Sequence, residues 1–200
     1  MLIISVVHQK GGVGKTTLAL NLAFCLSENL KVGITDTDLQ GSISEIEDFI
    51  KGIDLVPLEK VRNKEPLDYD VLVIDTPPYL TNKLHEIFLI SDFVLIPTKA
   101  GYLDALAVKA TIGLYKEAKK KKPSLKAGMV LNMVMHNTSL NGEVKEILED
   151  YDLPLLKAQI SQRVSFARSP MTNGIFNSED EKAKTEIVNL ADEILNYLHS

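Results

Sequence analysis

Short apolar runs recur along the chain at Leu2–Val7, Val32–Thr35, Ile53–Leu58, Val71–Ile74, Phe93–Pro97, Ala127–Val134 and Leu155–Ile160. Several show no polar alternation, as parallel strands covered on both faces require. The intervening segments carry apolar residues at helical spacing and predict helices over Thr16–Ser27, Asn82–Ile90, Ala105–Lys121, Asn141–Asp150 and Asp180–Leu198. This alternation predicts an α/β fold: a doubly wound, mostly parallel sheet of about seven strands with helices on both faces. Such sheets bind ligands at the carboxyl ends of their strands. The connection from Leu58 to Asp70, which includes Pro66, is close to the minimum for a parallel crossover. A short turn or irregular excursion is expected there rather than a full helix. No repeat or linker divides the chain, so residues 1–200 read as one domain.

Composition narrows the class. Hydrophobic residues at 45% and charged residues at 24% are ordinary for a soluble globular protein. The lone cysteine, Cys25, lies on an apolar helix face and reads as a small buried hydrophobe in a reducing compartment. Leu2–Val7 is too short for a signal-peptide core and lacks a basic flank, and no run approaches a membrane span. The expectation is a cytosolic protein. A net charge of −5 argues against a uniformly basic nucleic-acid binder but leaves room for a local basic patch.

The chemistry gathers first at His8-Gln9-Lys10-Gly11-Gly12-Val13-Gly14-Lys15-Thr16-Thr17, between the first predicted strand and the first predicted helix. Glycines let successive backbone N–H groups curl around a polyphosphate, and the helix N-terminus adds its positive dipole end. Lys15 would reach the β- and γ-phosphates and the Thr16 hydroxyl would ligate Mg²⁺. The strict pattern wants glycine six residues before that lysine; here Gln9 stands in its place. Two later strands run into acids, at Asp36-Thr37-Asp38-Leu39-Gln40-Gly41 and at Asp75-Thr76-Pro77-Pro78. An acid at the end of a buried strand is costly without a partner, and in a nucleotide site that partner is Mg²⁺. Taken singly, such residues also serve as turn formers and helix caps.

Together, Lys-Gly-Gly-Val-Gly-Lys-Thr-Thr, Asp-x-Asp-x-Gln-Gly and Asp-Thr-Pro-Pro resemble the ParA-type partition ATPases. These belong to the deviant Walker A group, alongside the MinD-type and nitrogenase-iron-protein-type ATPases. The resemblance follows nearly the whole chain and implies a P-loop NTPase fold, ATP and Mg²⁺ as ligands, and a homodimer in the ATP state. It implies slow, partner-stimulated hydrolysis of ATP to ADP and phosphate. On it, Lys15 and Thr16 are the phosphate lysine and the Mg²⁺ threonine, with Gly11, Gly12, Val13, Gly14 and Thr17 completing the cradle. Lys10 resembles the signature lysine that reaches the partner's phosphates, although on its own it is a loop lysine near phosphate. Asp38 resembles the acid that positions the attacking water, and Asp36 and Asp75 would hold Mg²⁺. Asn132 resembles the asparagine that reads adenine, and Pro154 lies near where the family wraps the base.

Within the group, one cysteine cannot provide the Cys pair of an Fe–S branch. The last predicted helix is amphipathic but acidic, unlike a basic membrane-targeting helix. The chain starts directly at its first strand, which resembles a small partition ATPase without an N-terminal DNA-binding domain. Its implied partners are a small centromere-binding protein of the ParB type and non-specific DNA, with no membrane, and its implied location is cytoplasmic and nucleoid-associated. Arg163 and Arg168 fall where partition ATPases carry DNA-contacting residues, though arginines there serve equally well in structural ion pairs. Lys119–Lys122 suits a solvated helix end before Pro123. The rival readings are a MinD-like spatial regulator at a membrane and a metabolic P-loop enzyme.

Overall fold

The computed structural model describes residues 1–37, 43, 50–78, 81–135 and 138–199, with the side chains of 81–83 left aside. The strands are β1 (Leu2–Val6), β2 (Val32–Asp36), β3 (Asp54–Leu55), β4 (Val71–Asp75), β5 (Phe93–Lys99), β6 (Lys126–Val134) and β7 (Leu155–Ser161). The helices are α1 (Lys15–Ser27), α2 (Leu58–Arg62), α3 (Thr81–Ile90), α4 (Tyr102–Lys121), α5 (Leu140–Glu149), α6 (Val164–Arg168) and α7 (Glu181–His199), with 3-10 turns at Ser169–Met171 and Ile175–Asn177. All seven strands run parallel in the order β3-β2-β4-β1-β5-β6-β7. The winding reverses at β1, between β4 and β5, and the loop after β1 therefore opens at the switch point of the sheet.

Alternate residues of each strand feed opposite faces. Ile4 and Val6 pack with α1 and α7, as do Val73, Leu95 and Val130. Val7, Val94, Ile96 and Leu131 pack with α4 and α5. Helix α1 is wrapped on nearly all sides, with Leu18 through Phe24 buried. Its pattern therefore shows no polar face, as a helix sandwiched between layers requires. Asn21 is fully buried in it, and its amide is completely used. Its Nδ2 donates to the Thr17 carbonyl and the Ser169 hydroxyl, and its Oδ1 accepts the Ile175 N–H at 2.7 Å.

Pro97 lies inside β5 without cost. Leu95 turns its backbone toward β1, where its carbonyl accepts the Val7 N–H at 2.9 Å. Pro97 has the same parity, and β1 has ended by then, so its missing N–H removes no ladder bond. The other departures from expectation are local. The run Ile53–Leu58 forms only a two-residue strand, because Pro57 ends the pairing and caps α2. Helix α2 is five residues long, in keeping with the short excursion expected for that connection. The segment after β7 contains α6, which the apolar pattern did not announce.

Both sheet edges are blunt. On β7 the Lys157 and Ala158 N–H groups donate to the Glu193 carboxylate at 2.9 Å each, and Ser161 N–H donates to Glu186. At the opposite edge β3 is two residues long.

Asn21→Ala removes both ends of a fully satisfied buried amide and leaves the Ile175 N–H unpaired. Denaturant unfolding is expected to show a loss of about 1–3 kcal/mol; a loss under a few tenths would mean that water replaces the amide.

Candidate functional site

The loop after β1 is shaped by two glycines in the left-handed region, Gly12 at φ +71° and Gly14 at φ +86°. Gly14 is required for a second reason. A Cβ there would lie 2.4 Å from Asn132 Nδ2 and 3.1 Å from Met133 Cε. Gly14 also caps α1 without a side-chain bond. The first backbone N–H groups of a largely buried helix thus face the loop, an arrangement that accepts an anion.

Around this turn the predicted residues converge. The Lys15 side chain is buried, and its ammonium donates to the Lys10 carbonyl at 3.3 Å. Thr16 Oγ1 donates to Asp75 Oδ2 at 2.6 Å, which ties the start of α1 to the end of β4. Asp36 and Asp75 are register neighbours at the ends of β2 and β4. Asp36 Oδ2 accepts the Ile43 N–H at 2.8 Å. Asp75 is only 2% exposed and its Oδ1 has no hydrogen-bond partner among the described residues. Its pKa is pushed up to about 7, first by burial and further by the Asp36 charge, against the opposing Thr16 hydrogen bond. A buried carboxylate oxygen lacking a donor, beside a threonine hydroxyl and a second acid, fits a divalent cation. Asp38 lies outside the described residues.

Lys10 points elsewhere. Its ammonium donates to Asp104 Oδ1 at 2.7 Å, in the first turn of α4, and the lysine side chain remains 38% exposed. His8 helps to set this posture. Its Nδ1 accepts the Lys10 N–H at 2.8 Å. Burial, then the nearby Lys15 charge, lowers its pKa to about 4, so the ring is neutral with its proton on Nε2. Neither His8 nor Asp104 was singled out from sequence. A lone histidine before a loop carries no local signal, and an acid in a first helical turn reads as ordinary dipole compensation.

The Asn132 amide braces the loop from β6, its Nδ2 donating to the Val13 carbonyl at 2.7 Å. The next residue, Met133, adopts φ +54°, unusual for a non-glycine residue. Beyond it a cavity of about 610 Å³ opens between Thr17, Asn132, Met133 and the segment Gln162–Ala167. A smaller one, about 350 Å³, lies over Gly11–Thr17 and Thr76–Pro78, and the two share Thr17 and Met133. The pair offers a continuous seat for a base and its phosphates. Pro154 does not line it. That residue sits before the N-terminal end of β7, where its carbonyl accepts the Met129 N–H at 2.8 Å. The cavity opens at the carboxyl end of β7, beside the residues that follow Ser161.

Of the two arginines, Arg163 is committed to structure. Its guanidinium reaches Glu186 at 3.0 Å and Asp180 at 3.6 Å, both near or on α7. Arg168 is exposed and has no ion pair among the described residues. The lysines closing α4 are occupied: Lys119 donates to the Leu125 carbonyl, Lys120 pairs with Glu117, Lys121 meets His85 and Lys122 donates to the Ser91 carbonyl.

A glycine turn between the first parallel strand and a buried helix, with a threonine and a strand-end acid beneath it, defines a P-loop nucleotide-binding protein. The CobQ/CobB/MinD/ParA nucleotide binding domain matches residues 4–175, and the chain belongs to that family of nucleotide-binding ATPases. It is 27% identical over 208 residues to the Maintenance of carboxysome distribution protein A of Halothiobacillus neapolitanus, covering 96% of this chain and 95% of that protein. Its fold is similar to that of a putative plasmid partition protein from Borrelia burgdorferi bound to AMPPNP, with a TM-score of 0.74, 23% identity and coverage of 98% and 99%. It is also similar to the septum site-determining protein MinD of Pyrococcus horikoshii complexed with Mg-ADP, with a TM-score of 0.70, 21% identity and coverage of 96% and 95%.

The raised Asp75 pKa gives a signed expectation. Its ordinary value is 3.8 and its folded value about 7, so the native chain holds this proton more tightly than the unfolded chain. The resulting stability is present at low pH and is lost as pH rises through about 7. Asp75→Asn removes this dependence. The variant's Tm advantage over wild type, measured without metal, is expected to grow between about pH 6 and about pH 8. A constant gap would mean that the carboxyl is already ionised at the lower pH.

Proposed function

We propose that this protein is an ATP-dependent partition ATPase that dimerises on ATP, binds DNA without sequence preference and segregates plasmid or chromosomal DNA with a small centromere-binding protein. The observation that carries this reading is the Lys10–Asp104 pair. A half-exposed ion pair is worth about 0–1 kcal/mol, so a stronger anion can displace it. Exposed Tyr102, Leu103 and Leu106 lie on the same first turns of α4 as Asp104, on a face suited to a second copy. Lys10 would leave Asp104 for the phosphates of that copy, supplying a cation where charge develops during phosphoryl transfer.

In this account Lys15 and the N–H groups of Gly11–Thr17 cradle the phosphates. Thr16, Asp36 and Asp75 hold Mg²⁺, which would neutralise phosphate charge when bound. Asp38 orients the attacking water. Asn132, already bracing Val13, borders the base. Arg168 is the better DNA candidate of the two arginines, because the charge of Arg163 is already spent on Asp180 and Glu186. A membrane role draws no support from α7, whose Ile187, Leu190, Ala191 and Ile194 are buried in the core. No helix among the described residues is long and apolar enough to cross a membrane. A second reading, in which the cargo is a protein body rather than a replicon, is favoured by the end-to-end match to a carboxysome-distribution protein. The two readings share the ATP cycle and differ in the partner.

Lys15→Ala is expected to lose nucleotide binding, and Asp38→Ala to bind ATP without turning it over. Lys10→Ala should keep nucleotide affinity and lose turnover. Mixing it with Asp38→Ala should restore up to about half the activity, since one composite site keeps both groups. No recovery on mixing would place Lys10 in cis.

DNA binding is expected only with ATP, with log affinity falling by about 0.9 per neutralised phosphate for each decade of salt. Arg168→Glu should weaken it at unchanged Tm, whereas Arg163→Glu should lower Tm by stranding Asp180 and Glu186. Equal DNA binding with ADP and ATP would overturn the dimer-gated account.

A further inference from the structure

A third lysine faces the loop, and neither the motifs nor the proposed cycle uses it. Lys99 ends β5. Its strand overshoots β1, since the last pair between them is Val6 with Leu95 and β5 continues four residues further. The end of β5 therefore rises beside the phosphate turn. Lys99 has the parity of Phe93 and Leu95, which pack on the α1 face. It is also the register partner of Asn132, the residue that braces Val13. Its ammonium lies 4.0 Å from where a Cβ on Gly12 would be.

The charge balance around it is uneven. Lys10 has Asp104, and Lys15 is folded under the loop onto the Lys10 carbonyl. The Lys99 ammonium makes no hydrogen bond or ion pair among the described residues, although the residue is half-buried at the mouth. The larger cavity lies on the Thr17 and Asn132 side, and the smaller one runs from Thr17 and Met133 toward Gly11 and Gly12. A nucleotide laid along both ends with its last phosphate at Gly11–Gly12. That is the end over which Lys99 stands.

We propose that Lys99 is a terminal-phosphate contact that acts on the nucleotide of its own chain and gives the site its preference for a nucleoside triphosphate over a diphosphate. The proposal rests on the loop being an ATP site. A diphosphate would lack the last phosphate and leave the ammonium in solvent; a triphosphate would supply its counter-charge. An ammonium with no partner to break forms that pair without displacing another anion, unlike Lys10.

The test compares fluorescent ADP with a fluorescent, non-hydrolysable ATP analogue, titrated in Mg²⁺ against wild type, Lys99→Gln and Lys99→Arg. Lys99→Gln is expected to weaken the triphosphate about tenfold and the diphosphate less than about twofold, with Tm unchanged. Lys99→Arg should restore most of the triphosphate affinity. Equal weakening of both nucleotides would reduce Lys99 to a general positive field, and no change in either would remove it from the site; each result overturns the proposal. Failure of wild type to bind either nucleotide would sink the ATP-site reading itself, and this proposal with it.

Discussion

The close approach of β6 to the glycine turn is the constraint on which this molecule depends. Asn132 Nδ2 occupies the space that any side chain at position 14 would need. The same amide hydrogen-bonds the Val13 carbonyl. The turn is therefore held from outside by a residue more than a hundred positions away, and its left-handed glycines are fixed by packing as well as by local preference. Everything downstream inherits that position. Helix α1 starts where the turn releases it, Thr16 meets Asp75 there, and the two cavities join at Thr17 and Met133.

Charge at the mouth is distributed with the same economy. Three lysines and three described acids surround the turn, and Lys10 and Asp104 form a direct ion pair at its rim. Asp75 is buried against a hydroxyl with its other oxygen unpartnered among the described residues, and the neutral ring of His8 ties down the Lys10 backbone. A carboxyl buried in this way is costly to ionise without a counter-charge. The strain at Met133 adds to that cost, and strained residues of this kind gather where a ligand is bound.

The parts legible in sequence were those written in short-range pattern. Unbroken apolar runs located every strand but β3 within a residue or two, and the glycine spacing located the turn. Strand-end acids pointed to Asp36 and Asp75. What stayed hidden depends on partners distant in the chain. Nothing near Lys10 announces Asp104, and nothing near Arg163 announces Glu186 on α7. That Pro154 lies at the other end of β7 from the cavity beside Asn132 stayed hidden as well, because the direction of β7 decides which of its ends meets the loop, and that is a property of the assembled sheet. The brevity of β3 follows from Pro57, a local signal that the apolar run Ile53–Leu58 obscured.

The acidic cover over β7 has a consequence for growth. Glu193 and Glu186 already take the outward N–H groups of Lys157, Ala158 and Ser161. Among the described residues, the far edge offers only two residues of strand. A sheet closed in this way cannot be lengthened by a neighbour's strand, which protects a long parallel sheet from edge-to-edge aggregation. Any higher-order assembly of these molecules must be built from helices and loops.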